Sequence, residues 1–191
     1  NSKEKQKNLN TITLGWIGSP STTLYLEQMA DVFDFLTLKY PNLTVKIIGA
    51  DLGILSFREA SWLKISDWDL DTEVEELMEF DIGIMPLQNN EWAKGKGGYK
   101  LLQYMSIGIP SVASPVGINC DLIRDGVNGY LALTNDEWKQ KLSMLIESEA
   151  LRIDMGGNSR KIAVDEYSFY QARVKLADAF LNLNKLVVNR A

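Results

Sequence analysis

The sequence holds 191 residues, enough for one domain with a substantial core, and its hydrophobic content of 46% is that of an ordinary globular protein. A formal net charge of −5 leaves no overall basic field for nucleic acid or anionic lipid, so any anion site must be local. One cysteine, Cys120, excludes an internal disulfide, and the lack of histidine excludes histidine-dependent triads and the usual histidine zinc sites within the sequence.

Residues 1–10 are polar, without the apolar core of a signal peptide, and read as a linker at a domain boundary. No apolar run approaches the roughly 18 residues of a membrane span, and a cytoplasmic setting is expected. Thr11 to Trp16 predicts a first strand. The turn GWIGSPSTT follows, and Thr22 or Thr23 is placed to cap a helix running to about Tyr40, with Leu26, Met29, Phe33 and Leu36 on its core face. Gly15 and Gly18 match only part of a dinucleotide-binding fingerprint, and a plain βα turn explains them equally well.

Leu43 to Ile48 predicts a second strand and Leu63 to Ile65 a short third one. Asp71 or Thr72 opens the next helix, with Val74, Leu77 and Met78 expected inward. Asp67, Asp69 and Asp71 read as loop and cap acids favoured by the helix dipole, because paired carboxylates without further ligands are a poor divalent-metal site. Asp81 to Met85 is expected as a central strand ended by Pro86, with residues 87–98 as a long loop. Ligands in doubly wound sheets sit outside the carboxyl ends of strands, so this loop is well placed for a site.

Tyr99 to Ser106 predicts a helix, stopped by Gly108 and Pro110, and Ser111 to Ser114 a buried strand. At 100° per residue, Lys96, Lys100 and Gln103 fall within roughly 60° of one another, with Leu101, Leu102 and Met105 opposite. The cationic face is either an ordinary solvated surface or an anion site, where free N–H groups and the helix dipole add to the lysines. Beyond it come a short helix over Ile118 to Asp125, the turn GVNG, a strand from Tyr130 to Leu133, and a helix from about Glu137 to Ser148 capped by Asn135 or Asp136. Helical segments over Leu151–Met155 and Asn158–Asp165 precede a long amphipathic helix from Phe169 to Val188. The alternation predicts an α/β fold: a Rossmann-like open, mostly parallel sheet flanked by helices.

The order FDIGIMPL, EWAKGKGGYKLLQYMSIGIPSVASPVGIN and GVNGYLA closely resembles the donor-binding half of retaining GT-B glycosyltransferases of the family 4 type. The resemblance reaches back to GWIGSP at 15–20 and forward to EYS at 166–168, so it covers most of the chain. It implies that residues 11–168 are one of two Rossmann-like domains, with the helix over 169–191 packing through Phe180, Leu181 and Val187 against the other, N-terminal one. By similarity, Gly18 and Ser19 approach the donor diphosphate, and Lys96 and Lys100 contact it and act as the catalytic cations; Lys94 is a weaker candidate. Trp68 and Pro86 are expected near the nucleobase, although Trp68 also fits simple packing under a loop.

Relatives carry a pair of spaced glutamates for the donor sugar and the ribose, and here these positions fall on Gly95 and Gln103. Gln103 retains hydrogen bonding to the ribose, Gly95 offers only backbone, and Glu91 is an alternative sugar contact from the same loop. The implied partners are a nucleoside diphosphate sugar and a glycan or lipid-linked acceptor bound through the N-terminal domain. That half also carries any peripheral membrane contact. No metal or other cofactor is expected. The alternatives are a non-catalytic nucleotide- or phosphate-binding module and, against the missing histidines, a nucleotide-sugar epimerase.

Overall fold

The computed structural model describes residues 11–188, with side chains through Leu181, so the expectations for residues 1–10 and Val187 lie outside the described residues. Six parallel strands form one sheet: β1 (Ile12–Ile17), β2 (Leu43–Ile48), β3 (Leu63–Ser66), β4 (Ile82–Met85), β5 (Ser111–Ala113) and β6 (Gly129–Leu131). Their spatial order is β3-β2-β1-β4-β5-β6. The chain therefore winds outward in one direction from β1 and in the other from β4, and the order reverses between these two central strands. That reversal opens a crevice at their carboxyl ends.

Side chains alternate across the strands, so each sheet face builds its own core. On one face Leu14, Trp16, Val45, Ile47, Ile82 and Ile84 meet α1 (Thr23–Glu27), α2 (Ala30–Lys39) and α7 (Asn135–Glu147) through Leu26, Phe33, Leu36, Trp138 and Leu142. On the other, Ile17, Ile48, Met85 and Ala113 meet α3 (Glu73–Leu77), α5 (Tyr99–Ile107) and α8 (Glu149–Tyr167) through Leu77, Leu101, Tyr104, Met105 and Ile162. Each large side chain fully buried in this way contributes roughly 1.5–3 kcal/mol. Tyr104 shows the fit. Its ring occupies the space above Gly83, where an added Cβ would come within 2.3 Å of it. Its hydroxyl accepts from Ile17 N (3.2 Å) and donates to Ile84 O (3.3 Å), tying α5 to both central strands.

The structure departs from the sequence expectations in several elements. Gln28 and Met29 separate α1 from α2, yet Leu26, Met29, Val32, Phe33 and Leu36 stay buried as one continuous face. In α3 only Leu77 is buried; Val74 and Met78 are largely exposed, because a five-residue helix turns a single side chain onto the core. The cap of α7 is Thr134, in a capping box with Glu137, whose carboxylate accepts from Thr134 N while Thr134 Oγ1 accepts from Glu137 N. Finally, α8 runs unbroken through Gly156 and Gly157. A Cβ on Gly156 would lie 2.1 Å from Gly108 O, so the glycine serves a close helix-to-turn approach and does not mark an end.

The last helix, α9 (Phe169–Val188), leaves Phe169, Tyr170, Leu176, Phe180 and Leu181 exposed on the described residues. No helix among the described residues is long and apolar enough to cross a membrane.

Candidate functional site

At the crevice lies a cavity of about 730 Å³. Its floor comes from the carboxyl ends of the central strands, Ile17 of β1 and Met85 of β4, and from Gly49 and Ala50 just after β2. Two close approaches shape this floor. A Cβ on Gly18 would sit 2.3 Å from the Trp16 ring and 2.8 Å from Lys100 Cε, and one on Gly49 would sit 2.4 Å from Gly18 O. Gly49 also has φ +75°, a left-handed backbone that glycine adopts without strain.

One wall is cationic. Gly98, at φ +68°, turns the chain into α5 with no side chain capping the helix, and Gly97, Gly98 and Tyr99 at this end line the cavity. Lys100, in the first turn, extends across the face of Trp16 with Nζ 4.5 Å from the ring centroid and donates to Thr22 Oγ1 (3.2 Å). Thr22 in turn donates to Ser19 O (2.9 Å), which ties the lysine to the turn after β1. No carboxylate among the described residues pairs with Lys100. Burial, with the charge of Lys96 second, lowers its ammonium to about 8. Lys96 lies in the loop before α5, not on the helix face, with Nζ near the rings of Trp92 (5.7 Å) and Tyr25 (5.9 Å). It reaches the same cavity.

The lining continues from α5 through Gln103, one turn beyond Lys100, to the acidic and aromatic residues Asp67, Trp68 and Glu73. Glu73 accepts from Gln103 Nε2 on one carboxylate oxygen (2.8 Å) and from Trp68 Nε1 on the other (2.6 Å). Ser19 and Pro20 complete the rim. An elongated ligand with an anionic group at one end and an aromatic, hydrogen-bonding group at the other matches this polarity.

Of the residues singled out from sequence, Gly18, Ser19, Lys96, Lys100, Gln103 and Trp68 line the one cavity. Glu91, Gly95 and Pro86 do not. The stretch 87–98 is not all loop: Asn90 Oδ1 accepts from Ala93 N (2.8 Å) and caps a short helix, α4 (Glu91–Lys94). That turn pairs Glu91 with Lys94 at 2.7 Å on the surface, and Gly95 ends it with ordinary negative φ. Pro86 is buried beyond the end of β4. Sequence reasoning missed Glu73, Thr22 and Tyr99. Glu73 is one of three acids in the first turn of α3, and only its contacts with Trp68 and Gln103 single it out. Asp67 faces the cavity while Asp69 Oδ1 accepts from Asp71 N (2.8 Å) in a turn, so the aspartates do not converge.

The sequence matches the family described as glycosyl transferases group 1 over residues 1–162. The chain belongs to this family. Solved structures of similar fold include S. aureus TarM, crystallised as a mutant with fondaparinux, alpha-GlcNAc-glycerol and UDP (17% identity, TM-score 0.72, covering 91% of this chain and 35% of that one). Anabaena HepE with UDP and glucose is another (18% identity, TM-score 0.73, 90% and 48%). A third is the C-terminal domain of LpcC, a glycosyl transferase group 1 protein from Francisella tularensis (20% identity, TM-score 0.66, 83% and 87%). The chain thus spans a third to a half of TarM and HepE and nearly all of the LpcC domain, and its fold is that of one half of a GT-B glycosyltransferase. No curated protein matches the sequence.

Proposed function

We propose that this glycosyl transferases group 1 chain binds the donor for a glycosyltransferase, a nucleoside diphosphate sugar, in the strand-end cavity. The diphosphate lies against Lys100, Lys96, the Gly18–Ser19 turn and the first N–H groups of α5. The ribose meets Gln103, and the base lies toward Trp68. One observation carries the reading: Lys100 is partly buried, lines the cavity and has no carboxylate partner among the described residues. An anionic ligand supplies the partner that the fold withholds.

In the proposed reaction the bond between the anomeric carbon and the diphosphate oxygen breaks. Negative charge growing on that oxygen is met by Lys100 and Lys96, held beside it before the reaction begins. The acceptor hydroxyl forms the new bond to the anomeric carbon on the face the diphosphate leaves, so configuration is retained, and its proton passes to the leaving oxygen. The lysines provide the neutralising charge, and no metal is part of the proposal. The acceptor, a glycan or lipid-linked sugar, and the cytoplasmic setting follow from the same reading, with the exposed apolar face of α9 set against an N-terminal acceptor domain. UDP is the first nucleotide to test, since TarM and HepE were crystallised with it.

A second reading, a binder without transfer, is favoured by the position of Glu91 and Gly95 off the cavity, which leaves no acidic side chain from that loop for the sugar. Calorimetric titration with UDP, GDP, ADP and CMP tests the binding. Micromolar affinity for one diphosphate, lost in Lys100→Ala, supports both readings, and sugar transfer by a protein containing both halves selects the enzyme. A folded chain that binds none of the four contradicts the site.

A further inference from the structure

We infer that Glu73 is a positioning residue for the donor's ribose and that Glu73 and Gln103 work as one carboxylate–amide pair. The inference rests on the nucleotide-sugar reading of the cavity. An ionised carboxylate only accepts hydrogen bonds, so the amide end of Gln103 that faces Glu73 must be its NH₂ group, as the 2.8 Å contact from Nε2 shows. The Gln103 carbonyl is then the end left for a ligand, and it selects groups that donate, such as ribose hydroxyls. The second oxygen of Glu73 accepts from Trp68 Nε1 at 2.6 Å and orients an indole that is half exposed. One carboxylate thereby fixes both the hydrogen-bonding edge and the aromatic surface of the same wall.

The pair also accounts for the residue type at 103. A glutamate there would bring two carboxylates to hydrogen-bonding distance, and one of them would have to hold a proton. Exchanging the two residues keeps one carboxylate and one amide in contact. The arrangement therefore tolerates Glu73→Gln with Gln103→Glu together, and neither change alone.

The test titrates UDP, GDP and ADP into the full chain, then compares the tightest of them with its 2′-deoxy and 3′-deoxy counterparts. Wild type is expected to prefer the ribonucleotide over at least one deoxy counterpart by about tenfold, the scale of one hydrogen bond. Glu73→Ala and Gln103→Glu should each weaken the ribonucleotide by about tenfold and erase that preference, while the double exchange returns affinity to within about threefold of wild type. The indole N–H resonance of Trp68, assigned with Trp68→Phe, should shift in Glu73→Ala while the other four tryptophan signals stay in place, which shows that the fold is intact. If wild type binds and discriminates but Glu73→Ala does so equally well, this inference fails and the site stands. If the variant loses affinity and keeps its ribose preference, Glu73 supports the wall without placing the ribose contact, and the inference also fails. If the folded wild type binds no nucleotide, both the site and the inference fall.

Discussion

Two lysines of this chain are withdrawn from water to different degrees and by different arrangements. Lys46, on β2, is almost fully buried and ends between Glu76 (2.6 Å) and Glu79 (2.7 Å). Lys100, on α5, is sunk against Trp16 with only the Thr22 hydroxyl at its tip. The first charge is neutralised by the fold itself, so its removal touches stability alone. The second is held without a counter-charge and beside another cation, which costs stability and leaves an anion-binding capacity at the cavity. A lysine maintained at a loss to the empty protein is evidence of a ligand, whereas a paired one is evidence only of folding.

The largest expected effect is at the paired lysine. Lys46→Ala leaves Glu76 and Glu79 facing each other over the sheet and is expected to destabilise by about 3 kcal/mol, read by chemical denaturation, with nucleotide affinity unchanged in the folded fraction. Lys100→Met is expected to act in the opposite sense: about a hundredfold loss of nucleotide affinity by calorimetry, with a gain in stability of about 1 kcal/mol at neutral pH. Loss of stability in Lys100→Met would break the comparison. Gly18→Ala puts a methyl into the Trp16 ring and Lys100 Cε and is expected to cost about tenfold in affinity and about 1–2 kcal/mol in stability. Lys96→Ala removes a less enclosed cation and should weaken binding by about fivefold, with a salt dependence that Lys100 does not share.

The pH dependence sharpens the contrast. With its folded value lowered to about 8, Lys100 is charged in both the folded and the unfolded chain below that pH, and there its burial penalty is fully present. Between pH 8 and the ordinary lysine value near 10.5 the folded group is neutral while the unfolded one keeps its proton. Its contribution to stability therefore rises with pH across that window, by on the order of 3 kcal/mol at most. The advantage of Lys100→Met over wild type in thermal melts should shrink over the same interval.

Much of this was legible in the sequence. Strand and helix alternation gave the parallel sheet, and Gly108 with Pro110 marked the end of α5, because these signals are local. The cluster of Gly18, Ser19, Lys96, Lys100 and Gln103 was legible through the family resemblance. What escaped depended on contacts between distant segments. Glu73 meets Gln103 across thirty positions of chain, Gly156 sits in a helix because Gly108 packs against it, and Asn90 starts a helical turn that takes Glu91 and Gly95 away from the cavity. No pattern of spacing within one segment encodes such contacts.

The most direct test of the central claim is calorimetry of UDP binding at pH 8.5 in two buffers with different ionisation enthalpies. With Lys100 lowered to about 8, part of the empty protein lacks that proton at this pH, and a bound diphosphate restores it. The account predicts net proton uptake by wild type and none by whatever binding persists in Lys100→Met. Binding with no proton uptake in wild type, or the same uptake in the variant, would contradict a diphosphate bound against a Lys100 whose proton is weakly held in the empty protein.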